Sequence, residues 1–375
     1  MTADLARPAT PTRLPLRPEL EGIEPYGAPQ LDVPHALNVN ENPYAPSEQV
    51  VADVAAAVAD ATRGLNRYPD RDFLGLRTDL ATYLEAESGV RLTPEQLWAA
   101  NGSNEIMLHV LQAFGGPGRT ALSFAPTYSM YPEYARDTST AWVTGRREED
   151  FSLDPRHARA TIEQHAPSVV LLASPNNPTG TALPASTVLE VLDAAAHVPG
   201  GCVVVVDEAY GEFRRAGTPS ALELLADHPH LAVSRTMSKA FGLAGARVGY
   251  LAAAPALVDA LRVVRLPYHL SAVTQAVARA ALAHSAELMA QVGSLRDERD
   301  ALVTWLRARG LVVADSDANF VLFGTFDDRR AIWQGLLEHG VLIREVGPAG
   351  WLRVSVGTPE QTAAFKDALV EVAGL

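Results

Sequence analysis

The run Cys202-Val203-Val204-Val205-Val206-Asp207-Glu208-Ala209-Tyr210 decides the fold. Four consecutive valines leave no polar face, so the strand they form is covered on both sides, as strands of a parallel sheet are. Ser168-Val169-Val170-Leu171-Leu172-Ala173 has the same character. Between the two, residues 185–198 read as a helix burying Val188, Leu189, Val191 and Leu192, which completes a strand–helix–strand unit. A third apolar run begins at Leu231 and ends at Arg235. The chain is therefore α/β, with parallel strands beneath helices.

Each of these strands ends in polar residues. The first runs into Ser174-Pro175-Asn176-Asn177-Pro178-Thr179-Gly180 and the second into Asp207-Glu208-Ala209-Tyr210-Gly211-Glu212-Phe213. The third runs into Thr236-Met237-Ser238-Lys239-Ala240-Phe241-Gly242, with Arg247 beyond it. In an open α/β sheet ligands lie outside the carboxyl ends of the strands, so the three clusters converge on one crevice. A lone lysine is usually a surface charge. Lys239, between Ser238 and Ala240 at such an end, instead suits a covalent anchor whose amine holds its proton less tightly through partial desolvation. Thr236, Ser238 and Arg247 suit a phosphate, Arg247 through its bidentate fork. Asp207, directly after the valines, is expected to sit half buried and to need a cationic partner.

Further out, the strand Leu97-Trp98-Ala99-Ala100 leads into Asn101-Gly102-Ser103-Asn104-Glu105, which opens an amphipathic helix with Ile106, Leu108, Leu111 and Phe114. Free backbone N–H groups at that helix start can cradle an anion, although Ser103 and Asn104 are also ordinary capping residues. Tyr128 falls just past the strand that starts at Thr120, where its ring can lie on a planar heterocycle or join the core. Leu37-Asn38-Val39-Asn40-Glu41-Asn42-Pro43-Tyr44 is a polar, proline-punctuated run. Ser47 then caps a helix to residue 63, with Val50, Val51, Val54 and Val58 as its buried stripe and Gly64 as its stop. Beyond Arg265, helices are expected over residues 271–284, 286–310 and 359–372, and strands over 318–323 and 340–344.

A chain of 375 residues suits one large and one smaller domain, and 47% hydrophobic with 20% charged residues is the balance of a soluble enzyme. A net charge of −13 argues against a nucleic-acid surface and supplies no basic stripe for a membrane. The single cysteine, Cys202, excludes an internal disulfide, fits a reducing cytoplasm and reads as a small buried hydrophobe. Residues 1–18 lack an apolar h-region and read as a mobile arm. The sequence carries no internal repeat and no metal-ligand cluster.

Taken in order, Asn40-Glu41-Asn42-Pro43, Asn66-Arg67-Tyr68-Pro69, Asn101-Gly102-Ser103-Asn104-Glu105, Pro126-Thr127-Tyr128, the polar run from Ser174 to Gly180, Asp207-Glu208-Ala209-Tyr210, Ser238-Lys239-Ala240-Phe241 with Arg247, Arg265-Leu266-Pro267-Tyr268-His269 and Trp351-Leu352-Arg353-Val354 form one pattern. The chain resembles, over nearly its whole length, the fold-type I pyridoxal-phosphate aminotransferases, and among them the histidinol-phosphate aminotransferase family. The segment with Tyr26-Gly27-Ala28-Pro29-Gln30-Leu31-Asp32 resembles the actinobacterial members.

The resemblance implies a large domain over residues 47–265 with a mostly parallel seven-stranded sheet, and a smaller α+β domain over 266–375. Residues 21–46 would join the small domain and a dimer interface, after a flexible arm over 1–20. Pyridoxal 5′-phosphate would be the cofactor, bonded to Lys239, with Asp207 on its ring nitrogen, Asn177 and Tyr210 on its ring oxygen and Tyr128 stacked on the ring. Ser103, Asn104, Ser238 and Arg247 would grip its phosphate, joined by Tyr68 from the second subunit of a homodimer. Arg353 would bind the anionic group of substrate, aided by Arg344, whose alternative is an ion pair with Glu345 or Glu338. Tyr26, Asn42 and Tyr268, the last from the neighbouring subunit, would line the pocket, and His269 would be a core or supporting histidine. The implied reaction is ping-pong transamination between histidinol phosphate and 2-oxoglutarate, which yields glutamate. Its rivals are an aromatic aminotransferase and a phosphothreonine decarboxylase. A DNA-binding regulator is excluded, because the acidic chain has no room for a basic helix-turn-helix.

Overall fold

The computed structural model describes residues 15–25 and 27–375, so Tyr26 and most of the expected arm lie outside the described residues. The chain divides into two units, residues 1–30 and 31–375. In the first, the described residues contain one 3-10 turn, Pro18–Leu20.

In chain order the strands are β1 (His35–Ala36), β2 (Leu97–Ala100), β3 (Thr120–Ala125), β4 (Ala141–Arg146), β5 (Val169–Ala173), β6 (Val203–Asp207), β7 (Leu231–Thr236), β8 (Gly249–Ala253), β9 (Val312–Val313), β10 (Phe320–Gly324), β11 (Val341–Leu342) and β12 (Leu352–Ser355). One seven-stranded sheet has the order β2-β8-β7-β6-β5-β3-β4. Only β8 runs against its neighbours. Pairing of Ala173 with Asp207, and of Asp207 with Ser234, brings the carboxyl ends of β5, β6 and β7 level, so that the polar runs following them share one edge.

The valine run behaves as its composition demands: Val204, Val205 and Val206 are at most 1% exposed. The crossover helix Ala185–Ala196 buries Val188, Val191 and Leu192, whereas Leu189 turns outward. In helix Glu48–Thr62 the Ser47 hydroxyl accepts from the Val50 N–H at 3.3 Å, as its capping role requires. Its apolar stripe departs from expectation. Only Val50 is buried, and Val51 is 46% exposed, because this helix packs on another outer helix, Ala272–Ala283, rather than on the sheet.

A second hydrophobic core, separate from that of the large sheet, gathers Leu37, Leu302, Leu306, Val321, Phe323, Leu352, Val354 and Phe365 around the antiparallel sheet β12-β10-β9. Parallel pairing of β1 with β11 ties the segment before residue 37 to this core. Helix Ser285–Arg307 spans both cores: Leu288, Val292 and Leu295 line the first, and Leu302, Val303 and Leu306 the second.

Behind the edge shared by β6 and β7 lies a buried ion cluster. Arg235 reaches Glu87 and Glu208, each at 2.8 Å, and Arg214 reaches the same two carboxylates at 3.3 and 3.2 Å. Arg235 and Glu208 are 1% and 2% exposed on their side chains, and without Arg235 the carboxylates of Glu87, Glu208 and Glu212 keep Arg214 as the nearby cation, a surplus of buried negative charge. Arg235→Met is expected to cost about 3–5 kcal/mol of folding free energy. Urea denaturation checks this, and a loss below about 1 kcal/mol would mean that the cluster re-pairs or hydrates.

Candidate active site

Lys239 lies beyond β7, half-buried, and its Nζ donates to the Val39 carbonyl at 2.9 Å. Loss of solvation, reinforced by the nearby Arg353 and Arg247 guanidiniums, pushes the amine down to about 8. The neighbouring Asn42 donates from Nδ2 to the Ala240 carbonyl at 3.4 Å, which holds the 38–42 segment against the lysine turn.

Asp207, the last residue of β6, is more deeply placed than half buried: it is 7% exposed. The expected cationic partner is absent among the described residues. Its carboxylate instead accepts from the Tyr131 hydroxyl at 3.0 Å and the Ala209 N–H at 3.2 Å, both neutral donors. Desolvation outweighs these bonds and pushes it up to about 6. The protein thus keeps a buried carboxylate without supplying its countercharge, and a ligand with a protonated ring nitrogen would supply it.

Beside this pair is an anion cradle. Ser103 and Asn104 begin helix Ser103–Phe114, whose first N–H groups have no intrahelical partner, and Gly102 precedes them at φ 88°. The Arg247 guanidinium lies against that turn, since a Cβ on Gly102 would stand 2.6 Å from its Nη2. Arg247 Nη1 donates to the Ser238 hydroxyl at 3.4 Å, and the Thr236 hydroxyl donates to the same Ser238 oxygen at 3.0 Å. Arg247 itself adopts a left-handed backbone at φ 55°, strain of a kind that collects at ligand sites. Gly249 makes the close approach possible: a Cβ there would fall 2.3 Å from the Gly102 carbonyl carbon and the Ser103 nitrogen. Gly249→Ala is therefore expected to force the cradle open, weakening phosphate-ligand affinity at least about tenfold for a strain of order 1–3 kcal/mol. Titration calorimetry with pyridoxal phosphate checks this, and unchanged affinity would remove the cradle from the site.

The remaining expected residues divide into those the structure brings together and those it leaves apart. Tyr128 donates to Asn104 Oδ1 at 3.4 Å and meets Tyr131 edge-on at 5.5 Å, so its ring borders the cradle. Asn177 Nδ2 donates to the Tyr210 hydroxyl at 3.4 Å, and Asn177 Oδ1 accepts from Arg353 Nη1. Arg353 is buried, also donates to the Asn38 carbonyl at 3.0 Å, and sits 5.0 Å over the Phe320 ring. Arg344 joins Arg353 through a backbone bridge, while Glu345 is held by Arg329 and Arg330 at 3.2 and 2.9 Å. Tyr68 and Tyr268 stand elsewhere: both are exposed and stack on each other at 4.4 Å. His269 packs on Trp98 at 5.3 Å with Nε2 at 2.9 Å from the Ala99 carbonyl, a supporting position.

Two residues at the centre were not singled out from the sequence. Tyr131, three residues past Tyr128, is fully buried on Asp207. Asn40 heads the Asn40-Glu41-Asn42-Pro43 motif and donates to the Tyr210 hydroxyl at 2.9 Å. Among the described residues there is no cluster able to hold a metal ion, and no helix long and apolar enough to cross a membrane.

A lysine with a weakened hold on its proton, a buried carboxylate lacking a countercharge and a phosphate cradle at one sheet edge define a fold-type I aminotransferase site. Residues 35–369 match the model of the class I and II aminotransferases, and the chain belongs to that family. Within it the relatives are more specific. The chain is 62% identical to the histidinol-phosphate aminotransferase of Thermobifida fusca (strain YX), over 96% of each chain. It is 55% identical to that of Mycolicibacterium smegmatis over 96% of this chain and 94% of the other. The crystal structure of histidinol-phosphate aminotransferase from Sinorhizobium meliloti in complex with pyridoxal-5′-phosphate is similar at TM-score 0.81 and 26% identity, covering 91% of each chain.

Proposed function

We propose that the protein is a histidinol-phosphate aminotransferase, moving an amino group from histidinol phosphate to 2-oxoglutarate by ping-pong transamination in histidine biosynthesis. The 62% identity to a relative of that name carries the choice of substrate. The donor set fits pyridoxal 5′-phosphate: Asp207 would take the ring nitrogen, Tyr210 and Asn177 the ring oxygen, and Tyr128 the ring face. Ser103, Asn104, Ser238 and Arg247 would take the phosphate, with Tyr68 reaching across from a second subunit of a homodimer. When bound, this cofactor supplies an electron sink for the bonding pair left at the substrate Cα.

The chain's own residues do the rest. Lys239 would hold the cofactor, and its Nζ, pushed down to about 8, would serve as the base that takes the Cα proton and the acid that returns one. Asp207 keeps its partner nitrogen protonated throughout. Arg353 holds the anionic end of substrate, phosphate in one half-reaction and carboxylate in the other, because a guanidinium fork accepts either. Arg344, Asn42, Tyr26 and Tyr268 complete the pocket in this reading. A large domain over residues 47–265 and a small one over 266–375, the latter joined by 21–46, would close over substrate along helix Ser285–Arg307. The setting is cytoplasmic.

Turnover by purified enzyme with histidinol phosphate against phenylalanine, 2-oxoglutarate being the acceptor, tests the proposal. A clear preference for the phosphorylated donor is expected, and equal or faster phenylalanine turnover would make the protein an aromatic aminotransferase. Release of carbon dioxide from phosphothreonine without an oxo-acid requirement would make it a decarboxylase. Arg353→Ala is expected to lower kcat/KM for histidinol phosphate and for glutamate alike, by roughly 10- to 100-fold, the range of one charge-assisted hydrogen bond. Steady-state kinetics with both donors check this, and a loss confined to one donor would assign the other's anion to a different residue.

A further inference from the structure

Asn40 is 2% exposed and holds a left-handed backbone at φ 57°, a conformation that needs support from its surroundings. That support is complete. Its backbone N–H donates to the Ser355 hydroxyl at 2.8 Å, and its carbonyl accepts from Asn319 Nδ2 at 3.0 Å. The Ser355 hydroxyl, having accepted from that N–H, donates to Asn40 Oδ1 at 3.1 Å. This fixes which end of the amide faces Ser355 and leaves Nδ2 to donate to the Tyr210 hydroxyl at 2.9 Å.

A second chain arrives at the same hydroxyl. Ser355 and Arg353 are two apart on β12 and so share a face. Arg353 Nη1 donates to Asn177 Oδ1, and Asn177 Nδ2 donates to Tyr210 at 3.4 Å. Two side chains of one strand thus each orient an amide, and both amides offer N–H to one phenol oxygen. A phenol oxygen accepting two N–H bonds has its lone pairs engaged, and its own proton is directed outward as a donor.

We propose that Asn40, locked by Ser355, is a positioning residue that sets the hydrogen-bonding sense of Tyr210 and through it the proton affinity of the cofactor linkage. The inference rests on the pyridoxal-phosphate reading of this site. A hydroxyl donated to the cofactor's ring oxygen draws charge from that oxygen, which otherwise stabilises the proton on the lysine-derived nitrogen. Loss of the donation therefore raises the pH at which that nitrogen gives up its proton.

The test is a pH titration of the visible absorption of the enzyme loaded with pyridoxal phosphate, for wild type, Tyr210→Phe, Asn40→Asp and Ser355→Ala. Asn40→Asp keeps the shape but turns the donor into an acceptor, which pulls the Tyr210 proton away from the cofactor. Its titration midpoint is expected to rise as far as that of Tyr210→Phe. Ser355→Ala, which unlocks the amide and removes the acceptor of the Asn40 N–H, is expected to raise it by about 0.5 to 1 pH unit, the scale of one neutral hydrogen bond. Ser355→Ala decides the matter if Asn40→Asp does not accumulate as folded protein. Midpoints equal to wild type in both variants, while Tyr210→Phe shifts, would overturn the proposal. A wild type that forms no visible chromophore would overturn the cofactor reading instead.

Discussion

Lys239→Ala is expected to abolish turnover, by at least about 10⁴-fold, since it removes the proposed covalent anchor and proton-transfer group together. The apoprotein should fold, because the lysine donates a hydrogen bond to the Val39 carbonyl and is half-buried rather than part of a core. Lys239→Arg should fail as badly: a guanidinium keeps its proton at every working pH, whereas burial holds the Lys239 amine near 8 against an ordinary 10.5. At pH 8 about half of the lysine is then a neutral nucleophile, compared with roughly 0.3% for an unperturbed one. The rate at which wild-type apoprotein couples to pyridoxal phosphate should accordingly rise with pH and level off above about 8. Stopped-flow absorbance measures that profile. A variant at position 239 retaining more than about a hundredth of the activity, or a coupling rate still climbing at pH 10, would show that another amine does the work.

Much of this site was legible because parallel strands announce themselves. Apolar runs unbroken by polar residues mark β5 and β6, and the polar residues after them had to share an edge once those strands lay side by side. β4 carries no such signal, and β8, although buried throughout, carries a weaker one. β4 is an edge strand whose residues Ala141, Thr144 and Arg146 face solvent, so no continuous apolar run was needed. β8 begins at a glycine chosen for its close approach to the cradle rather than for strand propensity. Val51 and Leu189 looked like core because periodicity reports which side of a helix is apolar, not what the helix packs against. Tyr131 and Asn40 were hidden for a different reason. Their partners, Asp207 and Tyr210, are 76 and 170 residues away, a separation that no local pattern encodes.

Asp207→Asn is expected to make the apoprotein more stable and the loaded enzyme far slower. Both follow from one buried charge. Folding raises the Asp207 carboxyl from 3.8 to about 6, so between those values the native state binds its proton more tightly than the unfolded chain. Stability therefore falls as pH rises through that window, and above pH 6 the full cost, of order 3 kcal/mol, is present. Asparagine has nearly the same shape: its Oδ1 can accept from the Ala209 N–H and its Nδ2 can donate to the Tyr131 hydroxyl, which accepts as well as donates, yet it carries no charge to desolvate. At pH 7.5 the variant apoprotein should thus gain about 1–3 kcal/mol in urea denaturation, and the wild-type-minus-variant difference should vanish below about pH 4. In the loaded enzyme the same substitution removes the group proposed to hold a proton on the cofactor ring, and kcat should fall by about 10²- to 10³-fold. A stability gain coupled to a loss of turnover is the signature of a charge kept buried for a ligand rather than for the fold. A variant less stable than wild type at pH 7.5, or one that keeps its kcat, would mean that Asp207 already has its countercharge within the protein.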